Sequence, residues 1–194
     1  MASNYQKMLD GGSYYAPEIE CIQRASLIAE KLESFNATPL SDQAKRHGLL
    51  KEIFLSYAPS YIMGPLTLEY GHIEMAGGVF VNRDCMFIDN ARITIQKNVM
   101  IGPRCLFLST SHSLDPMQRS EFDHAGFTCG GYGISAPIVI EEHVWIGGNV
   151  TVLPGVTIGA RTTIGAGSVV TKSIPSDVLA FGNPCCVQRS LDEA

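Results

Sequence analysis

An aliphatic side chain recurs every six residues in the C-terminal half of this 194-residue chain, and no other feature constrains its fold as strongly. The recurring residues are Ile140, Ile146, Val152, Ile158, Ile164 and Val170. A second series of small or β-branched residues lies four places after each unit's first residue, at Val144, Val150, Val156, Thr162, Ser168 and Ile174. Helices repeat at 3.6 residues and strands at two, whereas a hexapeptide repeat is typical of a parallel β-helix. We therefore predict a solenoid of triangular coils, three units to a coil, with both series pointing inward.

The period extends upstream and is then interrupted. It continues through Met75, Val81 and Phe87 and, after a two-residue slip near Ile93, through Ile95, Ile101 and Phe107. Between residues 108 and 137 it stops, and this stretch predicts a loop extruded from the coil; loops of such length are often functional. The loop carries Phe122, His124, Phe127 and Tyr132, which we expect to contribute to binding of an acceptor molecule. A β-sandwich would alternate with period two, which the sequence does not do.

The first 60 residues follow a different pattern. Ile19, Ile22, Leu32 and Phe35 recur at helical spacing, and Ser41 is a candidate N-cap for a second helix. We expect residues 1–60 to form a helical cap and residues 61–194 to form the β-helix domain, with the loop at 108–137.

Composition and charge exclude several classes of protein. The net charge is −5 without a basic run, which argues against nucleic acid as a partner. No apolar run approaches the ~20 residues of a membrane span, and no signal peptide is evident, so a cytoplasmic location is expected. The six cysteines lack metal-ligand spacing, so we predict reduced thiols and no metal site.

His112 is the candidate catalytic residue, because it ends a coil just before the loop and an imidazole can accept a proton from a hydroxyl group near neutral pH. His47 and His143 are expected to be solvated, and His72 and His124 have no obvious partner. A metal site built from His112, His124 and His143 would match no known spacing. Trp145 is expected to point outward, toward another subunit or a ligand.

Several stretches resemble the maltose and galactoside O-acetyltransferases of the hexapeptide class. They are "KMLDGGSYYAPE", "VNRDCMFIDNARITI", "IGPRCLFLSTSHSLDP", "VWIGGNVTVLPGVTIGARTTIGAGSVVTKSIP" and "GNPCCVQR". The resemblance implies a left-handed parallel β-helix and a homotrimer with acetyl-CoA in a groove between subunits. It also implies acetyl transfer to a hydroxyl of a sugar or similar small molecule.

The resemblance assigns roles to particular residues. His112 matches the family's catalytic histidine, and the backbone N–H of Gly148 matches the group that holds the developing oxyanion. Acceptor contacts are implied for Asn82, Asp84 and Asn90. Coenzyme contacts are implied for Trp145, Gly148, Ala166, Thr171, Lys172 and Arg189.

This chain also departs from the family pattern. Asp84 stands where a second Asn is usual, and Tyr14, Tyr15 and Ala16 occupy the region of an acidic acceptor residue. Glu69 stands where a hydroxyl residue can occur, and Cys186 replaces a basic residue.

Three alternatives remain beside the O-acetyltransferase interpretation: a non-catalytic binding or assembly solenoid, a γ-type carbonic anhydrase, and an acyltransferase with an amine or antibiotic acceptor. His112 favours an enzyme, because a structural solenoid needs no imidazole at a break in its repeat.

Overall fold

The structure is a computed structural model that describes residues 2–16, 18–119 and 132–192. The helices are α1 (Asn4–Asp10), α2 (Ile19–Ala37), α3 (Gln43–Ile53) and α4 (Pro116–Arg119). The first ten strands are β1 (Gly12–Tyr15), β2 (Ser56–Tyr57), β3 (Tyr61–Ile62), β4 (Leu66–Leu68), β5 (Ile73–Met75), β6 (Phe80–Val81), β7 (Cys85–Ile88), β8 (Ile93–Ile95), β9 (Met100–Ile101) and β10 (Leu106–Leu108). The remaining strands are β11 (Thr110–Ser111), β12 (Tyr132–Ser135), β13 (Ile138–Ile140), β14 (Trp145–Ile146), β15 (Thr151–Val152), β16 (Thr157–Ile158), β17 (Thr163–Ile164), β18 (Val169–Val170), β19 (Val178–Phe181) and β20 (Cys186–Ser190).

The strands from β2 onward wind into a solenoid with three flat walls. Sheet I contains β2, β5, β8, β13 and β16; sheet II contains β3, β6, β9, β14, β17, β19 and β20; sheet III contains β4, β7, β10, β15 and β18. Neighbouring strands are parallel except for β19 and β20, which form an antiparallel pair at the C-terminal end. The predicted β-helix is therefore confirmed, with about six turns.

The six-residue period places its side chains in the core as predicted. Every member of the main series from Ile140 to Val170 is at most 1% exposed, and the second series from Val144 to Ile174 is buried too. Equivalent residues stack from coil to coil: the rings of Phe87 and Phe107 lie 4.8 Å apart and nearly parallel. The regularity of the sequence is thus a regularity of core packing.

The cap contains more than the two predicted helices. In α2 the buried residues are Cys21, Ile28, Leu32 and Phe35. Ile19 and Ile22 share the helical spacing but are 67% and 51% exposed, so they lie beside the buried face of α2. The N-cap of α3 is Asp42 rather than Ser41, because the Asp42 carboxylate accepts the backbone N–H of Lys45 at 3.1 Å.

A small antiparallel sheet joins the chain's N-terminus to the long loop. Its strand order is β1-β12-β11, so each described arm of the loop contains a strand. Phe122, His124 and Phe127 lie outside the described residues, as does Cys129. The solenoid itself begins with β2, inside the segment that the sequence assigned to the cap.

Candidate active site

Two edges of the triangular solenoid carry the residues of interest. The edge between sheets II and III is made of residues 63–65, 82–84, 102–104, 147–149 and 165–167, and we call it the glycine edge. The edge between sheets III and I contains residues 69–72, 89–92, 109–119, 132–137, 153–156 and 171–173, and we call it the loop edge. On the loop edge, the repeat units that contain the first three corners are longer than six residues. The extra residues make room there for polar side chains.

His112 lies on the loop edge, directly after β11, and its side chain is exposed. Its Nδ1 lies 3.0 Å from the carbonyl oxygen of Tyr132. A carbonyl only accepts hydrogen bonds, so Nδ1 carries the proton and donates it. The lone pair on Nε2 is thereby left available, which is the state that a general base requires.

The loop edge is held by a buried carboxylate that the sequence analysis did not single out. Asp89 is fully buried and accepts the backbone N–H groups of Glu69 and Tyr70, both at 2.9 Å, and of His72 at 2.8 Å. It thus ties the corner of the first coil to that of the second. The two-residue slip near Ile93 was the sequence signal for this enlarged corner.

His72 does have partners, contrary to expectation. It is fully buried; its Nδ1 lies 2.8 Å from the carbonyl oxygen of Asn90, and its Nε2 lies 2.8 Å from the hydroxyl of Tyr5 on α1. Burial lowers the pKa of His72, so the ring is held neutral. His47 was also expected to be solvated, but its Nδ1 contacts the Tyr57 hydroxyl at 2.6 Å. His143 is exposed, as predicted.

Asn90 presents an unsatisfied polar atom beside these groups. Asn90 is 5% exposed, and within the described chain its Oδ1 has no hydrogen-bond partner. Burial raises the pKa of the nearby Tyr14 phenol, whose oxygen lies 2.9 Å from Oγ1 of Thr110. The pKa of Glu69 is raised mainly by partial burial of its carboxylate and, to a smaller extent, by repulsion from Asp89. The residue as a whole is still exposed. Buried acceptors without partners are uncommon in stable structures, so this one points to a ligand or water.

The glycine edge brings backbone groups close together. A Cβ on Gly102 would lie 2.6 Å from the backbone nitrogen of Gly148, so only glycine fits there. The N–H of Gly148 itself has no acceptor among the described residues, whereas that of Gly147 donates to Ile164 at 2.8 Å. A backbone N–H without an acceptor in the chain is a suitable donor for a developing oxyanion.

Asn82 and Asp84 also lie on the glycine edge. Asp84 has a left-handed backbone with φ of 59°, as do Arg104 and Asn149 at the same corner of later coils. Asp and Asn tolerate this conformation better than most residues, so the Asp at position 84 is compatible with the turn.

An apolar column covers sheet II next to the glycine edge. The register aligns Tyr61, Phe80, Met100 and Trp145 on successive strands. Trp145 points outward as predicted and is 55% exposed. A groove of about 250 Å³ runs along this column and reaches Gly148.

The structure thus divides the predicted site residues into two groups. His112, Asn90, Thr171 and Lys172 lie on the loop edge; Asn82, Asp84, Gly148 and Ala166 lie on the glycine edge, with Trp145 beside them on sheet II. Arg189 lies on β20, at the end of sheet II. Sheet III separates the two edges by about 10 Å of extended backbone, given three residues at ~3.3 Å each. One copy of the chain therefore does not gather both groups around a single atom.

Across the described ranges, no three His, Cys, Asp or Glu side chains come together as a metal site would require. The five cysteines in these ranges are free thiols. None of the helices that the structure describes is long and apolar enough to cross a membrane.

Comparison with known proteins identifies the family. Residues 137–172 match the bacterial transferase hexapeptide family (six repeats), and residues 7–57 match the maltose acetyltransferase hexapeptide capping motif. A putative acetyltransferase of Schizosaccharomyces pombe is 38% identical over 97% of this chain and 92% of its own length.

Solved structures give the same result. A maltose O-acetyltransferase from Clostridium difficile superposes with a TM-score of 0.90 at 34% identity, covering 97% of both chains. A hexapeptide-repeat acetyltransferase from Vibrio cholerae, complexed with acetyl coenzyme A, superposes with a TM-score of 0.86 at 36% identity, covering 98% of this chain and 99% of the other. The chain therefore belongs to the hexapeptide-repeat acetyltransferases that carry the maltose acetyltransferase capping motif.

Proposed function

We propose that this acetyltransferase moves the acetyl group of acetyl-CoA to a hydroxyl group of a sugar or similar small molecule. His112 acts as the general base, and each active site lies between two subunits of a homotrimer. The observation that carries the proposal is the hydrogen bond from Nδ1 of His112 to the Tyr132 carbonyl, because it leaves Nε2 ready to take a proton.

The reaction needs no covalent enzyme intermediate. Nε2 of His112 takes the proton of the acceptor hydroxyl while that oxygen attacks the thioester carbonyl carbon. The resulting oxyanion accepts the free N–H of Gly148, and its collapse breaks the C–S bond. The departing thiolate takes the proton back from His112, which restores the neutral imidazole.

The order of the site residues along the solenoid axis supports one arrangement of the two substrates. Asn82, Asp84 and Asn90 belong to the second coil, and His112 leaves from the third. The coenzyme-lining candidates follow in later coils: Trp145 and Gly148 in the fourth, Ala166, Thr171 and Lys172 in the fifth, and Arg189 beyond them. The acceptor would therefore lie toward the N-terminal end and the coenzyme toward the C-terminal end, with His112 between them.

The acceptor side offers suitable chemistry. The unpaired Oδ1 of Asn90 would accept a hydrogen bond from a hydroxyl group, as would Asp84. A pocket of about 280 Å³ beside His112 is lined by hydroxyl, amide and apolar groups, among them Ser113, Gln118 and Tyr132. Mixed linings of this kind suit a sugar ring, which has hydroxyl edges and an apolar face.

The trimer is supported by the split between the two edges. A second copy placed with its glycine edge against the loop edge of the first would supply the missing half of the site. The exposed column that contains Met100 and Trp145 gives such a contact its apolar area. Packing of this head-to-tail kind closes into a ring when the rotation allows it.

The test is the His112→Ala variant, assayed for acceptor-dependent release of CoA across a panel of sugars and alcohols. We expect turnover to fall by about 10²–10⁴-fold, the usual contribution of a general base. His143→Asn is the matched control, because it removes an exposed imidazole and suits the left-handed backbone at that corner. Turnover close to wild type in His112→Ala would refute the mechanism.

A further inference from the structure

We propose that the N-terminal strand β1 positions the imidazole of His112, with Tyr15 and Tyr132 as the positioning residues. The inference rests on the proposed role of His112 as the base. It gives the cap segment a part in catalysis that does not require it to touch either substrate.

Strand β11 ends one residue before His112. Its backbone pairing with β12 consists of Thr110 with Ser135 and Ser111 with Ile134. The next residue is His112. Here the hydrogen bond to β12 comes from the side chain and not from the backbone, because Nδ1 donates to the Tyr132 carbonyl at 3.0 Å. The imidazole thus continues the ladder of hydrogen bonds, and its orientation depends on where the end of β12 lies.

The end of β12 that carries Tyr132 is paired with β1. Tyr132 lies beyond the last backbone pair of β11, so within the described sheet its strand partner is β1, through the pair Tyr15 and Tyr132. The two rings contact each other across the strands, with centroids 5.2 Å apart and planes 50° apart. Cross-strand aromatic pairs are among the more favourable contacts that a sheet can make.

Strand β1 is itself anchored by contacts with the solenoid and with β12. The carbonyl of Leu9, just before β1, accepts the backbone N–H of Arg92 at 3.1 Å. The Ser135 hydroxyl donates to the carbonyl of Met8 at 2.7 Å. On the inner face of β1 the Tyr14 ring lies against Gly133, where an added Cβ would come within 2.4 Å of it. A strand anchored to the solenoid in this way can fix the Tyr132 carbonyl.

A fixed carbonyl matters because neutral histidine has two tautomers. Only the tautomer with the proton on Nδ1 leaves Nε2 free to act as the base. When the end of β12 frays, the carbonyl moves away and both tautomers and several ring orientations become accessible. The chain then keeps its fold and its coenzyme groove but spends less time in the competent state.

The test removes each ring while preserving the strand. Tyr15→Thr and Tyr132→Thr keep high β-propensity, and Tyr132→Phe keeps the ring pair. We expect each threonine variant to lower kcat by about three- to tenfold, in line with an aromatic pair, with KM for acetyl-CoA unchanged. The double variant should lose no more than either single one, because both remove the same contact. Tyr132→Phe should recover most of the kcat that Tyr132→Thr loses, because it keeps the ring pair. The control Lys7→Gln, at an exposed position on α1, should stay within twofold of wild type.

A spectroscopic measurement separates positioning from a general loss of structure. With ¹⁵N-labelled histidine, the imidazole shifts of His112 should report the Nδ1–H tautomer in the wild-type protein and a mixture in the threonine variants. A wild-type protein with the proton on Nε2 would overturn the proposal without any variant. So would threonine variants with unchanged kcat and unchanged tautomer, or effects that add in the double variant.

The outcome also distinguishes this inference from the proposed function. If His112→Ala is inactive and the threonine variants are normal, the positioning role fails while the base survives. If His112→Ala is fully active, the proposed function fails first, whatever the tyrosine variants do.

Discussion

At the scale of single residues, Asn90 is the side chain whose environment is hardest to explain by stability alone. Its Oδ1 is buried without a partner in the part of the chain that the structure describes, while its Nδ2 lies 3.9 Å from the Met8 sulfur. A buried acceptor left unpaired costs stability, about 1–3 kcal/mol in mutational series. Such a cost is typical of functional positions, where a ligand completes the contact.

We therefore predict that Asn90→Ala raises KM for the acceptor by about tenfold, the loss of roughly one hydrogen bond. The free energy of unfolding should stay level or rise, because an unsatisfied group is removed. Steady-state kinetics and denaturant unfolding measure the two effects. Ser109→Ala is the matched control: its buried hydroxyl, fully bonded to Ile88 and Ala91, should affect stability and not KM. An unchanged KM together with lower stability in Asn90→Ala would assign Asn90 to structure alone.

His72 gives a prediction about pH. The ring is packed against Tyr5 and Tyr70, with the Asp89 carboxylate and the Arg24 guanidinium also close. Burial is the largest effect, and it lowers the pKa of His72 below that of the unfolded chain, about 6.5. The unfolded state consequently binds the proton more readily, and stability that is complete above pH ~6.5 is lost as the pH falls through the lowered value.

We expect the free energy of unfolding to decrease as the pH falls below about 6.5, by up to ~1.4 kcal/mol per pH unit for this group. His72→Gln, which does not titrate, should show a shallower slope over that window. His143→Asn is the control for the loss of one imidazole, because His143 is exposed. A slope in His72→Gln equal to that of wild type would show that the ring is not the group responsible.

At the scale of elements, one buried arginine joins the cap to the solenoid. Arg46 on α3 is 4% exposed and donates to the carbonyls of Phe35, at 3.3 Å, and Thr38, at 2.7 Å, at the end of α2. It also donates to the Ile62 carbonyl on β3 at 2.9 Å, and its guanidinium lies 4.0 Å from the Phe35 ring centre. A single side chain therefore satisfies acceptors on two elements that no backbone ladder connects.

Arg46→Met fills similar space but removes all of these hydrogen bonds, so we predict a loss of about 2–4 kcal/mol in the free energy of unfolding. The neighbouring exposed Lys45→Met should change it by less than ~0.5 kcal/mol. Denaturant titration followed by circular dichroism measures both. A loss in Arg46→Met no larger than in the lysine control would mean that the cap is held by its apolar contacts.

The elements also show what a sequence can predict. The coils follow from the sequence because each six-residue unit repeats the same local requirement for one inward side chain. The strand β1 was not predicted, because its partner β12 lies more than a hundred residues away and the four residues of β1 are too few for a periodic signal. Helical spacing likewise does not tell which face of α2 meets the solenoid, since Ile19 and Ile22 fit the period but are exposed.

The site was predicted unevenly for similar reasons. His112 was chosen as a candidate because it lies where the repeat is interrupted. Trp145 was predicted to point outward because the core of the coil is too narrow for an indole ring, and it is 55% exposed. The partners of His72 come from α1 and from the next coil, so no local pattern reveals them. The division of the site between two edges needs the path of the coil, which spacing alone does not give.

At the scale of the whole molecule, the central claim is that the active site forms where the loop edge of one subunit meets the glycine edge of another. Two damaged chains test it together. His112→Ala removes the base from the loop edge, and Ala166→Trp fills the proposed coenzyme groove on the glycine edge with a large side chain at an exposed position. Each variant alone should form an inactive trimer.

The decisive measurement is the activity of mixed trimers, made by co-expressing the two variants with different tags and purifying through both. If sites form between subunits, a mixed trimer contains a site with an intact loop edge from the Ala166→Trp chain and an intact glycine edge from the His112→Ala chain. Every trimer that carries both chains has one such complete site among its three, so the account predicts about a third of wild-type turnover. Mixed trimers as inactive as the two parents would contradict the account, because each site would then lie within a single subunit.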